Sequence, residues 1–443
     1  MKSPVISVCA LVLLAMVVQA DAKVAPDPAA VVQLNANYVW TMVGGVLVFF
    51  MKAGFALLEL GFTRSKNSIN ILMKNFLDFC GVAPVYLFLG FPLMFGHTLH
   101  GWVGWSGFDL YSKGAAAPEW IYWMFQVGFA GVTATIVSGA IAERTRFLAY
   151  VIFSALFALM IYPIFGHWAW GGGLEAFLHG TVTEERMGWL QAMGYRDFAG
   201  GSVVHEIGGA CALAGILCVG PRLGRFDSAG RPVLLPGHNL PLAALGTFIL
   251  WVGWYGFNAG STVVAGAEIG RIAVNTTLAP CLGALTAMIS MWRIQGRADI
   301  GITMNGSLAG LVAITPACAY VSVPSGMVIG AIAGLLTTYS TQLLEKWRID
   351  DAVGAVPVHL VNGFFGILAT EIFDETGFQI QAFLVQLMGA IVAPVFAFSV
   401  AYALFKLLAA TVGLRAGDVE QDEGLDFHEH AASAYPEFPS AGR

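Results

Sequence analysis

DFAGGSVVHEIGGACALAGILCVGPR, running from Asp197 to Arg222, is the stretch from which the rest of the chain can be read. It opens on an acid and an aromatic, passes through paired glycines and continues as a long apolar run with one histidine, His205, about two turns inside. Gly200, Gly201, Gly208, Gly209, Ala212 and Gly215 give the run a small-residue face, which lets neighbouring helices approach closely in lipid. An imidazole at that depth is costly unless it faces a cavity or a partner. The segment therefore predicts a membrane-buried helix with one chemically active side chain.

Composition agrees with that reading: 57% of the 443 residues are hydrophobic and only 11% are charged, too apolar for an ordinary soluble protein. The net charge of -6 is modest, and the basic residues are dispersed singly, which does not suggest a nucleic-acid surface. Cys9, Cys80, Cys211, Cys218, Cys281 and Cys318 lie in or beside apolar runs, without a CxxC pair or a histidine at ligand spacing, and read as small packing residues. The first 22 residues combine Lys2, a short apolar core and Ala20-Asp21-Ala22, and read as a cleaved signal peptide that leaves the mature N-terminus outside.

Eleven apolar runs of spanning length follow, near 38–62, 69–96, 118–140, 147–170, 198–220, 239–258, 270–292, 300–319, 323–344, 354–373 and 379–410. With the N-terminus outside, the inside loops hold twelve Lys and Arg (Arg64, Lys66, Arg144, Arg146, Arg222, Arg225, Arg231, Arg293, Arg297, Lys346, Arg348, Arg415). The outside loops hold four, Lys113, Arg186, Arg196 and Arg271. That asymmetry is what the positive-inside rule requires, and it supports the signal peptide independently. The expected fold is all-α and integral to the membrane, with a transmembrane domain over 23–410 and a cytoplasmic tail over 411–443.

Eleven divides as five, five and one, and an inverted five-helix repeat places its central site near the bilayer midplane between the halves. His205 lies on the fifth run and His359, in VPVHLVNGFFG, on the tenth, so the two halves carry histidines at corresponding places. In an apolar tube two neutral imidazoles form a hydrogen-bonding rail, since each donates from one nitrogen and accepts at the other. An ion is strongly penalised on such a path, whereas a small neutral amine is not. Without a carboxylate or thiolate nearby, the pair makes a poor permanent metal site, so no metal or cofactor is expected. At the outer ends of the runs, Trp170, Phe125, Phe129, Trp254 and Phe257, with Ser261, could gather a cation before it sheds water, each aromatic face contributing about 0.5–2 kcal/mol.

These motifs together resemble the ammonium transporter family, the Amt/Rh class. The likeness runs through Phe125-Gln126, Phe129, AERTRF from Ala142, Trp170-Gly-Gly-Gly, the Asp197 stretch, GWYGFNAGS from Gly253, NGSLAGLVAITPACAY from Asn305 and the segment from Ile349-Asp-Asp to His359, in family order. The resemblance implies that Trp170, Phe129 and Ser261 form an external ammonium site, that Phe129 stacks with Phe257 as a gate, and that Trp254 lines the pore beside His205 and His359. It implies that Asp197 braces the recruitment site, although at a helix start an acid commonly serves as an N-cap. It also implies a homotrimer, ammonium and methylammonium as substrates, inward movement of net charge, and a cytoplasmic PII-type signal protein that blocks the inner mouth.

Some residues fit the resemblance less closely. Family members often have glycine after the second histidine, where this chain has Leu360, followed by Asn362, and both could reshape packing beside the pore. Lys52 and Glu59, seven residues apart in the first run, need intermediates or another helix to pair, and are expected to be structural or to face another subunit. The acidic tail, AGDVEQDEGLDFHEH, either docks on the inside loops or a soluble partner or remains solvated. No GxxxxGK[ST] loop and no hydrolytic or redox constellation appears, so the chain is expected to be a transporter rather than an enzyme. A sensor without useful flux and an Rh-like channel for ammonia or carbon dioxide are the rival readings. The first should carry an added signalling domain, and the second needs no cation-gathering vestibule.

Overall fold

Helix follows helix from Pro28 onward in a computed structural model that describes residues 27–114 and 116–437; the expected signal peptide at 1–22 lies outside them. Nine helices among the described residues are long and apolar enough to cross a membrane. They are Pro28–Phe62 (α1), Ser65–Phe95 (α2), Glu119–Ala140 (α3), Phe147–Trp170 (α4), Gly201–Val219 (α5), Leu240–Thr262 (α6), Glu268–Gln295 (α7), Val323–Lys346 (α9) and Ile380–Thr411 (α11). Two shorter apolar helices, Ile300–Ile314 (α8) and Val356–Ile372 (α10), occupy the other two expected positions. The shortening of α8 has a local cause: Pro316 lacks the N–H that would continue the helix, and the chain leaves it through a tightened turn in which Thr315 N donates to Val312 O at 3.1 Å. Fifteen residues rise about 22 Å, short of the roughly 30 Å hydrocarbon core.

The helices start on caps readable in the sequence. Asp27 accepts from Ala29 N at 3.1 Å, Asn239 from Leu242 N at 3.1 Å and Asp299 from Ile302 N at 2.8 Å, with proline in the first turn of α1 and α6. Gly296 closes α7 at φ 77°, a left-handed conformation that suits glycine.

Corresponding helices of the two halves meet in pairs, α1 against α6 and α5 against α10, as an inverted repeat requires. The second pair is unusually close. A Cβ at Gly209 would fall 2.4 Å from Leu360 N, so only glycine lets α5 reach the backbone of α10. Both helices also begin on a widened π turn, Gly201–Glu206 and Val356–Val361, and each turn carries one of the two histidines.

One ion pair inside the bundle lies away from this central contact. Lys52 Nζ meets Asp78 Oδ1 at 2.5 Å and the Thr135 hydroxyl, while Asp78 Oδ2 accepts from Thr135 Oγ1 at 3.0 Å and Tyr150 OH at 2.8 Å. The lysine thus ties α1 to α2 and α3, and Asp78 extends the link to α4 through Tyr150. In the loops at one end, Arg222 grips Asp350 through two 2.9 Å contacts, and Arg144 Nη2 donates to Asp350 O at 2.6 Å. Burial works against the Asp350 charge, yet the Arg144 and Arg222 guanidiniums hold its carboxyl well below the usual range.

Beyond α11 the tail folds back as Asp418–Glu423 and Leu425–His430. Leu425 N donates to Asn67 Oδ1 at 3.0 Å, Asp426 Oδ1 accepts from Asn70 N at 2.8 Å, and Glu429 Oε2 accepts from Phe147 N at 2.9 Å. Of the alternatives the sequence leaves open, this stretch takes docking, with Leu425 fully buried. The physical reason is complementarity: the acids find unpaired N–H groups at the starts of α2 and α4.

Candidate functional site

The Asp197 stretch begins as an irregular turn because its carboxylate gathers the start of α5. Oδ1 accepts from Gly200 N at 2.9 Å and Gly201 N at 2.6 Å. Oδ2 accepts from Ser202 N at 2.9 Å, Ser202 Oγ at 2.7 Å and Val203 N at 3.0 Å. Gly200 sits at φ 109°, a conformation suited to glycine, to close this ring. With five donors on two oxygens, Asp197 is a helix cap. Its own carbonyl accepts from Trp170 Nε1 at 2.6 Å, which fixes the indole at the end of α4 and links the cap to the outer aromatics.

Trp170 is half-buried and stands nearly perpendicular to the buried Phe129, ring centres 6.1 Å apart at 86°. Phe129 lies across Phe257 at 4.3 Å and 34°, with Phe125 behind it at 4.8 Å. Ser261, one turn beyond Phe257, donates to Phe257 O at 2.6 Å, which leaves its oxygen lone pairs for an incoming donor. Two phenyl rings at 4.3 Å leave no room between them for a molecule, so passage requires one ring to turn.

His205 lies directly behind Phe257, ring centres 5.3 Å apart. It stacks on Trp254 at 5.1 Å and 17°, and on His359 at 5.2 Å and 19°. The two imidazoles touch through Nδ1 and Nδ1 at 3.1 Å, a contact that requires a proton on one of them. That bond fixes both rings, and His205 Nε2 is buried without a protein partner. Trp254 Nε1 donates to Thr315 Oγ1 at 2.8 Å, anchoring the indole wall to α8. Past His359 the path reaches Phe55, ring centres 6.2 Å apart, and then a narrow cavity.

The structure thus brings Trp170, Phe129, Phe257, Trp254, His205 and His359 into one file, with Asp197 and Ser261 braced on its outer members. Of the two placements expected for Trp254, among the outer aromatics or in the pore beside the histidines, the structure has the second: the ring is fully buried beside His205, one turn deeper than Phe257. Leu360 and Asn362, which could reshape packing beside the pore, find their contacts on neighbouring helices. Leu360 packs its backbone on Gly209, and Asn362 Nδ2 donates to Thr337 Oγ1 of α9 at 2.9 Å and Pro357 O at 2.8 Å. Phe55 and Thr315 escape sequence reasoning, being an ordinary apolar residue of α1 and one of many threonines; only their neighbours mark them.

A family model described as the Ammonium Transporter Family matches residues 39–435. An ammonium transporter Amt2 of Archaeoglobus fulgidus is 44% identical over 451 residues, covering 97% of this chain and 95% of that protein. Among solved structures, one titled Sensor Amt Protein superposes with a TM-score of 0.84 at 36% identity, over 90% of this chain and 99% of its own. Candida albicans Mep2 superposes with a TM-score of 0.76 at 28% identity, over 87% of each chain.

Proposed function

The chain belongs to the ammonium transporter family, and from that premise we propose how its file of side chains works. It transports ammonium across a membrane. The ion is gathered at Trp170, Phe129 and Ser261, each aromatic face supplying about 0.5–2 kcal/mol, which does not replace its hydration. Stripping a unit charge into a dry lumen costs tens of kcal/mol in the idealised limit, so the ion gives up a proton to water at the outer site before Phe129 and Phe257 let ammonia through, and net charge moves because a proton crosses separately and rejoins ammonia inside. Neutral ammonia then passes Trp254 and the histidine pair, whose shared Nδ1 proton leaves one Nε2 an acceptor and the other a donor. Potassium resembles ammonium in charge and size but has no proton to give, and the dry segment stops it.

The observation that carries this reading is the 3.1 Å contact between His205 and His359 directly behind the paired phenyl rings. A closed aromatic gate over two coupled imidazoles suits a substrate that crosses uncharged. Asp197 acts from a distance by holding Trp170 and the start of α5. Around this pore we place eleven spans, counting α8 and α10, with the N-terminus outside after removal of residues 1–22 and the tail over 411–443 inside. The assembly is a homotrimer in the plasma or inner membrane, methylammonium is a second substrate, and no cofactor is involved. The partner is a PII-type protein seated on the docked tail and the arginine-bearing loops; its absence of effect on ammonium uptake in every nucleotide state would remove it.

The deciding experiment is an ammonium pulse on proteoliposomes of the purified protein, read as electrogenic current, with potassium as control. A saturable ammonium current absent for potassium is expected. The structure titled Sensor Amt Protein gives a second reading some support, a receptor that binds ammonium with little flux; ammonium binding without current would select it. A lumenal pH change without current would select a gas channel.

A further inference from the structure

The cavity behind His359 is lined by Phe55 and Glu59 of α1, Ile136 of α3, Asn305 and Leu308 of α8, and the segment from Val353 to Val358 leading into α10. Phe55 and Glu59 are four residues apart and therefore lie on one face of α1, so the file that ends at His359 and Phe55 continues one turn further to a carboxyl group. Glu59 is 1% exposed. Its Oε2 accepts from Asn75 Nδ2 at 2.9 Å and Ser138 Oγ at 3.0 Å, which fixes the carboxyl plane, while Oε1 takes neither bond. Gly139 makes the position possible, since a Cβ there would stand 3.1 Å from both Glu59 Cγ and Cδ.

A second acceptor faces the same space. Asn305 Nδ2 donates to Val353 O at 3.0 Å, which settles which end of the amide is nitrogen. Its Oδ1 is buried without a donor. Two buried acceptors, one on a carboxyl group, beside an aromatic ring and at the end of a path for a small amine, are complementary to a small cation that carries only donors.

We propose that this cavity is an inner ammonium site, held by Glu59 and Asn305 under the Phe55 ring. The inference rests on the transport reading above and deepens it. A carboxylate there favours NH4+ over NH3 + H+ and so marks where the neutral segment ends, about one helical turn inside His359. It also accounts for an intramembrane acid on α1 that Lys52 does not pair, the lysine being taken by Asp78.

The test compares wild type, Glu59→Gln and Asn305→Ala in proteoliposomes, after each variant is shown monodisperse in detergent. Ammonium current and ammonia-driven lumenal pH change are recorded together. Gln at 59 keeps an oxygen for Asn75 and Ser138 but removes the charge. The expected result is a current at least about tenfold lower, the weight of one charge-assisted hydrogen bond, with the pH change within about twofold of wild type. Asn305→Ala should lower the current about threefold or more and likewise spare the pH change. Currents within about twofold of wild type in both variants would overturn the site, as would current and pH change falling together, which marks a collapsed pore. Absence of current from wild type itself would refute the transport reading instead.

Discussion

Replacing Asp197 by Asn tests whether this residue is a cap or a proton-accepting group. The amide keeps one oxygen, which can serve Gly200 N and Gly201 N in place of Oδ1. Its nitrogen must then face Ser202 N and Val203 N, both donors, at positions where Oδ2 now accepts at 2.9 and 3.0 Å. Two charge-assisted bonds disappear and two buried N–H groups lose their acceptor. At about 1.5–3 kcal/mol for each bond to a charged group, the loss is roughly 3–6 kcal/mol, large among single substitutions. The Trp170 bond to Asp197 O loosens with the turn that carries it. The expected outcome is a thermal unfolding midpoint in detergent several degrees or more below wild type, measured by intrinsic fluorescence, with half-saturation for ammonium raised as the indole loses its seat. Asp197→Asn with a wild-type midpoint but abolished current would refute the cap and assign the carboxylate to proton transfer.

The other expectations address separate parts of the molecule. His205→Ala with His359→Ala should open the dry segment, so potassium pulses give a current in the double variant and none in wild type. Trp170→Ala should raise the ammonium concentration for half-maximal current about tenfold while sparing the maximum, the pattern of lost recruitment at about 0.5–2 kcal/mol, read from a concentration series. Lys52→Met strands Asp78 in the bundle and should cost about 3–5 kcal/mol, whereas adding Asp78→Asn should recover most of it, seen in the unfolding midpoints of the three variants. For Asp350 the folded carboxyl titrates below its unfolded value, so its contribution is fully present above about pH 4 and disappears as pH falls through the lowered value; Asp350→Asn should therefore destabilise equally at pH 6 and pH 8.

Much of this architecture is legible in the chain because lipid imposes a simple grammar. Apolar run length, proline and acid caps, and the bias of basic loops locate the helices, and the matched positions of His205 and His359 announce the pairing of α5 with α10. The outer site is legible in part. Trp170, Phe129 and Phe257 are where their motifs place them, but composition alone leaves Trp254 among the outer aromatics, because the face it turns to the pore depends on the rotation of α6, which apolar residues on every side of a buried helix do not encode; only the resemblance puts it beside the histidines. Glu59 shows the same limit. Its spacing from Lys52 suggests a shared fate, whereas tertiary contacts send the lysine to Asp78 and the acid to Asn75, Ser138 and the inner cavity. Residues without local strangeness, Thr315 and Phe55, become visible only through what they touch.

The two ends of the path differ in kind, and that difference has a defined consequence. On the proposed reading a cation meets π faces and a hydroxyl with no net charge outside, and a carboxylate and an amide oxygen inside. Without an energy source such asymmetry cannot change the ratio of ammonium on the two sides at equilibrium, because a site that binds tightly on entry must release slowly on exit. It can change the concentration at which each face saturates. The inner face should saturate at lower ammonium than the outer one, so currents driven outward from loaded liposomes should reach half-maximum at a lower concentration than inward currents. Glu59→Gln should bring the two half-saturation values together by raising the inner one, and Trp170→Ala should separate them further by raising the outer one. Equal values on both faces in wild type would show that the charged inner site has no weight in the cycle, whatever its geometry.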